Sequence, residues 1–75
     1  MQELIEFIVK SIVNDKEAVS VEANKEERFT LYIVRVASDD LGAVIGKNGK
    51  IAEAIRTIVK SASSHERLRV KFSAK

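Results

Sequence analysis

Cysteine is absent from all 75 residues, so neither a disulfide nor a thiolate metal site can staple this fold. Aromatics are scarce too, at 5% of a chain that is 45% hydrophobic. The core must therefore be aliphatic, and there is enough of it to exclude wholesale disorder. His65 is the only histidine, which leaves a metal site or histidine-based catalysis without a second member. No apolar run approaches the roughly 20 residues that span a bilayer. The opening Met1-Gln2-Glu3-Leu4 is acidic rather than basic, unlike a secretory leader. No repeat, linker or low-complexity tract is visible. These absences leave one domain over residues 1–75, near the lower size at which an unstapled core holds. A soluble cytoplasmic protein is expected.

Charge is present in both signs but is unevenly divided. Residues 1–40 hold five Lys and Arg against nine Asp and Glu, a net of −4. Residues 41–75 hold eight against two, a net of +6. Clustered cations are the footprint of a nucleic-acid or anionic-surface partner. The plainer alternative is a solvated face neutralised when the basic half folds against the acidic one.

Hydrophobic periodicity orders the elements. Leu4, Ile5, Ile8, Val9, Ile12 and Val13 recur at helical spacing and predict a helix over residues 2–14. Val19, Val21 and Ala23 alternate with polar residues, which predicts a strand over 18–23, followed by a polar turn at 24–27. Residues 29–36 are the richest β-forming run and should be the central strand. Ser38-Asp39-Asp40 offers a helix N-cap with acids in the first turn of a short helix over 39–45. Over residues 50–62, Ile51, Ala52, Ala54, Ile55, Ile58, Val59 and Ala62 fall in one arc roughly 160° wide, the mark of an amphipathic helix. A polar connector over 61–66 leads to 67–72, where Arg67, Arg69 and Lys71 alternate with Leu68, Val70 and Phe72. The class is α+β, in the order α-β-β-α-α-β, with a three-stranded sheet packed against three helices.

Between the second and third helices lies Val44-Ile45-Gly46-Lys47-Asn48-Gly49-Lys50. Glycine admits φ > 0 and lets a bulky anion approach backbone amides without a Cβ in the way. The helix that follows starts with unpaired N–H groups and a partial positive charge. Lys47 and Lys50 add mobile cations on either side of Gly49. These features ask for a phosphate chain that is bound and left intact. The competing explanation is a pair of glycines acting as simple helix caps.

Other chemistries fit poorly. Gly42 to Lys47 mimics a P-loop, but its glycines are too close and Asn48 stands where the magnesium-binding hydroxyl would be. Gly42 and Gly46 form G-x-x-x-G without an apolar segment around them. Asp39 and Asp40 could pass for paired carboxylates, yet capping accounts for both. Neither an enzyme nor a cofactor or metal is expected.

The element order, with Asp40-Leu41-Gly42, the Gly-Lys-Asn-Gly loop and Ala54-Ile55-Arg56-Thr57, resembles the type II KH domain over essentially the whole chain. It is most similar to the small bacterial proteins that consist of one KH domain, the KhpA type. That resemblance implies single-stranded RNA binding in a cleft holding about four nucleotides. It also implies a homodimer, or pairing with a second, larger KH protein, and a role as an RNA chaperone or post-transcriptional regulator. The residues suggest a compatible mechanism. Amides around Lys47, Asn48 and Gly49 would meet phosphates, with Lys47 and Lys50 neutralising charge. Ile45 and Val44 would floor the cleft beside Gly46. The second strand at Val34, Arg35 and Val36 would form its far wall, and Arg56 would extend the phosphate track. Nothing aromatic is placed to stack a base.

A protein-interaction scaffold without RNA contact is the alternative. Apolar residues of the first helix, Phe7 included, wrap through roughly 240°, more than one packed face needs. If Tyr32, Val34 and Val36 face the core, then Phe29, Leu31 and Ile33 lie on the other side of the sheet, and leftover apolar surface marks a partner site. Arg67, Arg69 and Lys71 would then only guard an edge strand against aggregation.

Overall fold

The computed structural model describes residues 1–63 and 66–75. Ser64 and His65, within the expected connector, lie outside the described residues. Helix α1 spans Gln2–Lys10, strand β1 Ser20–Lys25, strand β2 Thr30–Val36, helix α2 Leu41–Ile45, helix α3 Lys50–Ala62 and strand β3 Leu68–Ala74, with short 3₁₀ turns at 16–18, 38–40 and 47–49. The sheet order is β1-β2-β3; β1 runs antiparallel to β2, and β3 runs parallel to it. This is the α+β arrangement expected, with the strand richest in β-formers at the centre.

The helices cover one face of the sheet only. Tyr32, Val34 and Val36 of β2 and Leu68 and Val70 of β3 point under them and are buried. Ile5 and Val9 of α1, with Ile55 and Val59 of α3, close the core from above. Each pair is spaced i, i+4, so one helical stripe faces the sheet. Burying each such side chain contributes about 1.5–3 kcal/mol, which lets so small a domain dispense with staples.

Several boundaries differ from expectation: the short helix starts at Leu41 after a 3₁₀ turn rather than at 39, the last strand runs over Leu68–Ala74 rather than 67–72, and the first helix and first strand are shifted by where their backbone hydrogen bonds go. The first helix ends at Lys10 rather than residue 14, although Val13 N–H still donates to Val9 O. The next two amides leave the helix because a distant carboxylate takes them: Asn14 N–H donates to Asp40 Oδ1 at 3.1 Å and Asp15 N–H to Asp40 Oδ2 at 3.0 Å. Asp40 is only 4% exposed and makes no side-chain cap on α2, so the expected N-cap is replaced by a long-range clamp on the end of α1. The first strand starts two residues later than expected because Ala18 closes a 3₁₀ turn. It also runs two residues further, since Asn24 and Lys25 pair with Leu31 and Thr30 before the turn closed by Glu26 N–H and Phe29 O.

Candidate nucleic-acid interface

The glycine loop is built on three successive departures from ordinary backbone. Gly46 ends α2 at φ 75°, ψ 176°. An L-residue there would be strained, and its Cβ would lie 2.5 Å from Ile51 Cγ1 and 2.8 Å from Ile51 Cβ. Asn48 follows at φ 58°, ψ 26° and Gly49 at φ 74°, ψ 14°, both left-handed. Asparagine tolerates this region better than most side chains.

That path decides which amides are open. Gly49 N–H donates to Gly46 O at 3.2 Å, and Lys50 N–H turns back to Lys47 O. The N–H groups of Lys47 and Asn48 find no acceptor among the described residues. Lys47, Asn48 and Lys50 are exposed, whereas Ile45, Gly46 and Gly49 are half-buried. Two open donors, two ammonium groups and the positive end of a 13-residue helix thus converge on one bend.

Opposite the loop's helix lies the free edge of the sheet. Thr30 N–H donates to Arg67 O and Lys75 N–H to Val36 O. In a parallel ladder both groups of a residue face the same neighbour, so the odd-numbered residues of β3 serve β2. The N–H and C=O groups of Val70 and Phe72 therefore point outward. There the Arg56 Nε–H donates to Val70 O at 3.1 Å, and the guanidinium sits 5.4 Å from the centroid of the Phe72 ring. Arg56 ties α3 to the β3 edge and leaves a planar cation beside the opening.

A glycine bend between two helices that pack on a three-stranded sheet is the layout of a KH domain, and the family model described as "KhpA/KhpB, KH domain" matches residues 2–73. The chain belongs to this KH-domain family. A Clostridium perfringens relative named RNA-binding protein KhpA is 44% identical over 70 residues, covering 93% of both chains. A relative of the same name from Borreliella burgdorferi is 41% identical over 93% of this chain and 85% of its own. Another, from Streptomyces coelicolor, is 44% identical over 79% of this chain and 75% of its own. No solved structure gave a significant match. A KH domain is a binding fold rather than an enzyme.

Against the KH framework, the loop residues Ile45, Gly46, Lys47, Asn48, Gly49 and Lys50 come together, with Arg56 within two helical turns of them on α3. Three expected positions do not join them as side chains. Val44 has no exposed surface and belongs to the core, so it cannot floor a cleft. Val34 and Val36 are likewise fully buried. Arg35 points to the opposite face of the sheet, where its guanidinium meets Glu22 Oε1 at 3.3 Å. The whole of β2 is hydrogen-bonded on both sides, so it has no edge to present. The free strand edge expected at residues 34–36 lies instead on β3, at Val70 and Phe72. A hint lay in the sequence: the last strand alternates cations with apolar residues, as an edge strand does.

Two further features border the loop. An open groove of about 510 Å³ runs along the outer side of α3, lined by Lys50, Glu53, Ala54, Thr57 and Ile58. Ile58 is 51% exposed and Ile51 40%. Among the described residues no His, Cys, Asp or Glu cluster could hold a metal ion, and no helix is long and apolar enough to cross a membrane.

Proposed function

We propose that this protein binds single-stranded RNA across the cleft between the glycine loop and the free edge of β3. The observation that carries the reading is the pair of unsatisfied amides at Lys47 and Asn48, flanked by Lys47 and Lys50 side chains at the start of α3. Phosphates would sit on those donors. Ile45 would give the bases an apolar floor, and the outward N–H and C=O groups of β3 would meet base edges. The relatives' name, RNA-binding protein KhpA, supports RNA as the polyanion. With about four nucleotides held and the Phe72 ring already covered by Arg56, affinity per domain is modest and sequence preference loose.

The direct test replaces Lys47 and Asn48 by Asp. Both side chains are exposed, so the urea midpoint stays near that of the parent while binding of short unstructured oligoribonucleotides is lost. Parent binding should weaken with salt at a log–log slope near −0.7 per phosphate, roughly −2 for three contacts. Unchanged binding by the variant would remove the loop from the site. A flat salt dependence would favour a scaffold that does not touch RNA.

Exposed Ile58 and the groove beside it support pairing with a second copy or with a larger KH protein through α3. Joining two weak sites raises apparent affinity by effective concentration, which suits a cytoplasmic RNA chaperone or post-transcriptional regulator. Sedimentation of Ile58→Glu should show monomers. Ile33→Glu, on the far side of the sheet, should sediment as the parent does.

A further inference from the structure

We infer that the open face of the sheet is a second RNA-contacting surface, a cationic ladder on β3 that takes the strand as it leaves the loop cleft. The inference rests on RNA being the ligand of that cleft. Arg67, Arg69 and Lys71 are exposed on the face that no helix covers. Residues two apart on a strand repeat at roughly 6.6 Å, near the phosphate repeat of an extended polynucleotide.

Their surroundings favour a polyanion over a protein partner. The ion pairs among the described residues are Glu6–Lys10 and Glu22–Arg35, so the three cations of the ladder meet no carboxylate there. Leu31 and Ile33, the β2 partners of Arg69 and Lys71, are half-buried rather than laid open as an apolar patch. Arg69 lies 5.0 Å over the Phe29 ring, and the two form part of a recess of about 290 Å³ with Arg28 and Arg67. The neighbouring recess balances Glu26, Glu27 and Glu66 against Lys25, Arg28 and Arg67, so the uncompensated positive charge of the face lies toward Arg69 and Lys71.

Continuity with the cleft supplies the second argument. In the proposed binding mode the backbone edge of β3 borders the loop cleft, while its side chains at 67, 69 and 71 stand on the open face of the same strand. An RNA that overruns the cleft therefore meets the ladder after crossing one strand, about 4.8 Å. Protection against edge-to-edge aggregation would need no such alignment with the cleft, and one charge would serve it.

The test compares an oligouridylate of about four nucleotides, which fills the cleft alone, with one about three times as long. For the parent, three added phosphate contacts steepen the salt slope of the longer oligomer by about 2. Between 50 and 200 mM salt, that increment enlarges its affinity loss roughly twentyfold relative to the short one. Arg69→Gln with Lys71→Gln should remove about two-thirds of the extra slope and leave the short oligomer unaffected. Arg69→Lys with Lys71→Arg should restore it. Equal long-oligomer binding by parent and Gln variant overturns the inference, as does a Gln variant that changes only sedimentation, which would make the face a protein contact. If the short oligomer fails to bind while the long one binds through Arg69 and Lys71, the ladder stands and the loop reading falls. If neither length binds, both fall.

Discussion

Replacing Gly46 and Gly49 separately by Ala should have unequal effects, although the two glycines look equivalent in the sequence. At Gly49 an added Cβ meets nothing within 4 Å, and the residue sits at φ 74°, ψ 14°. The cost is that of one ordinary left-handed residue, about 1–2 kcal/mol. At Gly46 the backbone lies where essentially only glycine goes, which costs about 1–3 kcal/mol on its own. The added Cβ would also lie 2.5 Å from Ile51 Cγ1 and 2.8 Å from Ile51 Cβ. Rotating the isoleucine relieves the first contact but not the second, because Cβ is fixed to the backbone of α3. Overpacking of that kind adds about 1–3 kcal/mol. Gly46→Ala should thus cost about 2–6 kcal/mol, a large part of the roughly 4–11 kcal/mol expected of a domain this size. In urea, with a slope near 1 kcal/mol per molar, Gly49→Ala should move the midpoint down by about 1–2 M and Gly46→Ala by clearly more. Ile51→Gly, which removes that Cβ, should cost less in the Gly46→Ala background than in the parent, and as much in the Gly49→Ala background as in the parent. Equal midpoint shifts for the two single variants, or no such coupling between Gly46→Ala and Ile51→Gly, would refute the assignment of different duties to the two glycines.

Two other outcomes follow from buried polar groups. Asp40→Ala strands the amides of Asn14 and Asp15, at a cost of about 2–4 kcal/mol, and hydrogen exchange at those two amides should accelerate locally, while the amides of β2 accelerate only through the global loss of stability. Tyr32, the only tyrosine, is held neutral up to about 12, first by burial and then by its hydrogen bond to Glu66 at 2.7 Å. The phenol's contribution to stability is therefore full below the unfolded value of 10 and is lost as pH rises through about 12. Near-ultraviolet titration should show one late transition. Glu66→Gln should lower it without returning it to 10, since the larger cause remains.

Local signals in the sequence were reliable where one physical effect dominated. The α3 stripe from Ile51 to Ala62 is long and strictly periodic, and the structure keeps the bounds 50–62. The run at 29–36 had no competitor as the central strand, and its even-numbered residues face the core as alternation required. That same strength misled the reading of the cleft. A strand rich enough in β-formers to be central is paired on both sides and buried, so Val34 and Val36 are the wrong place to look for a free edge. Asp40 was unreadable for the opposite reason. A carboxylate before a short helix looks like a local cap, and nothing nearby indicates that its hydrogen bonds reach back to residues 14 and 15. The loop was legible because two glycines around Lys-Asn are a backbone instruction; which of its amides would be consumed internally was not.

The parallel pairing of β2 with β3 has a consequence for when this molecule becomes competent. Thr30 pairs with Leu68 and Val36 with Ala74, each partner lying 38 positions along the chain. Contacts that distant form late, after the intervening segment has closed. The bend at 46–49, by contrast, is closed by hydrogen bonds that reach back only three or four residues. On the ribosome, the proposed cleft would therefore have its glycine bend but no strand edge until residues 68–74 emerge from the tunnel and dock.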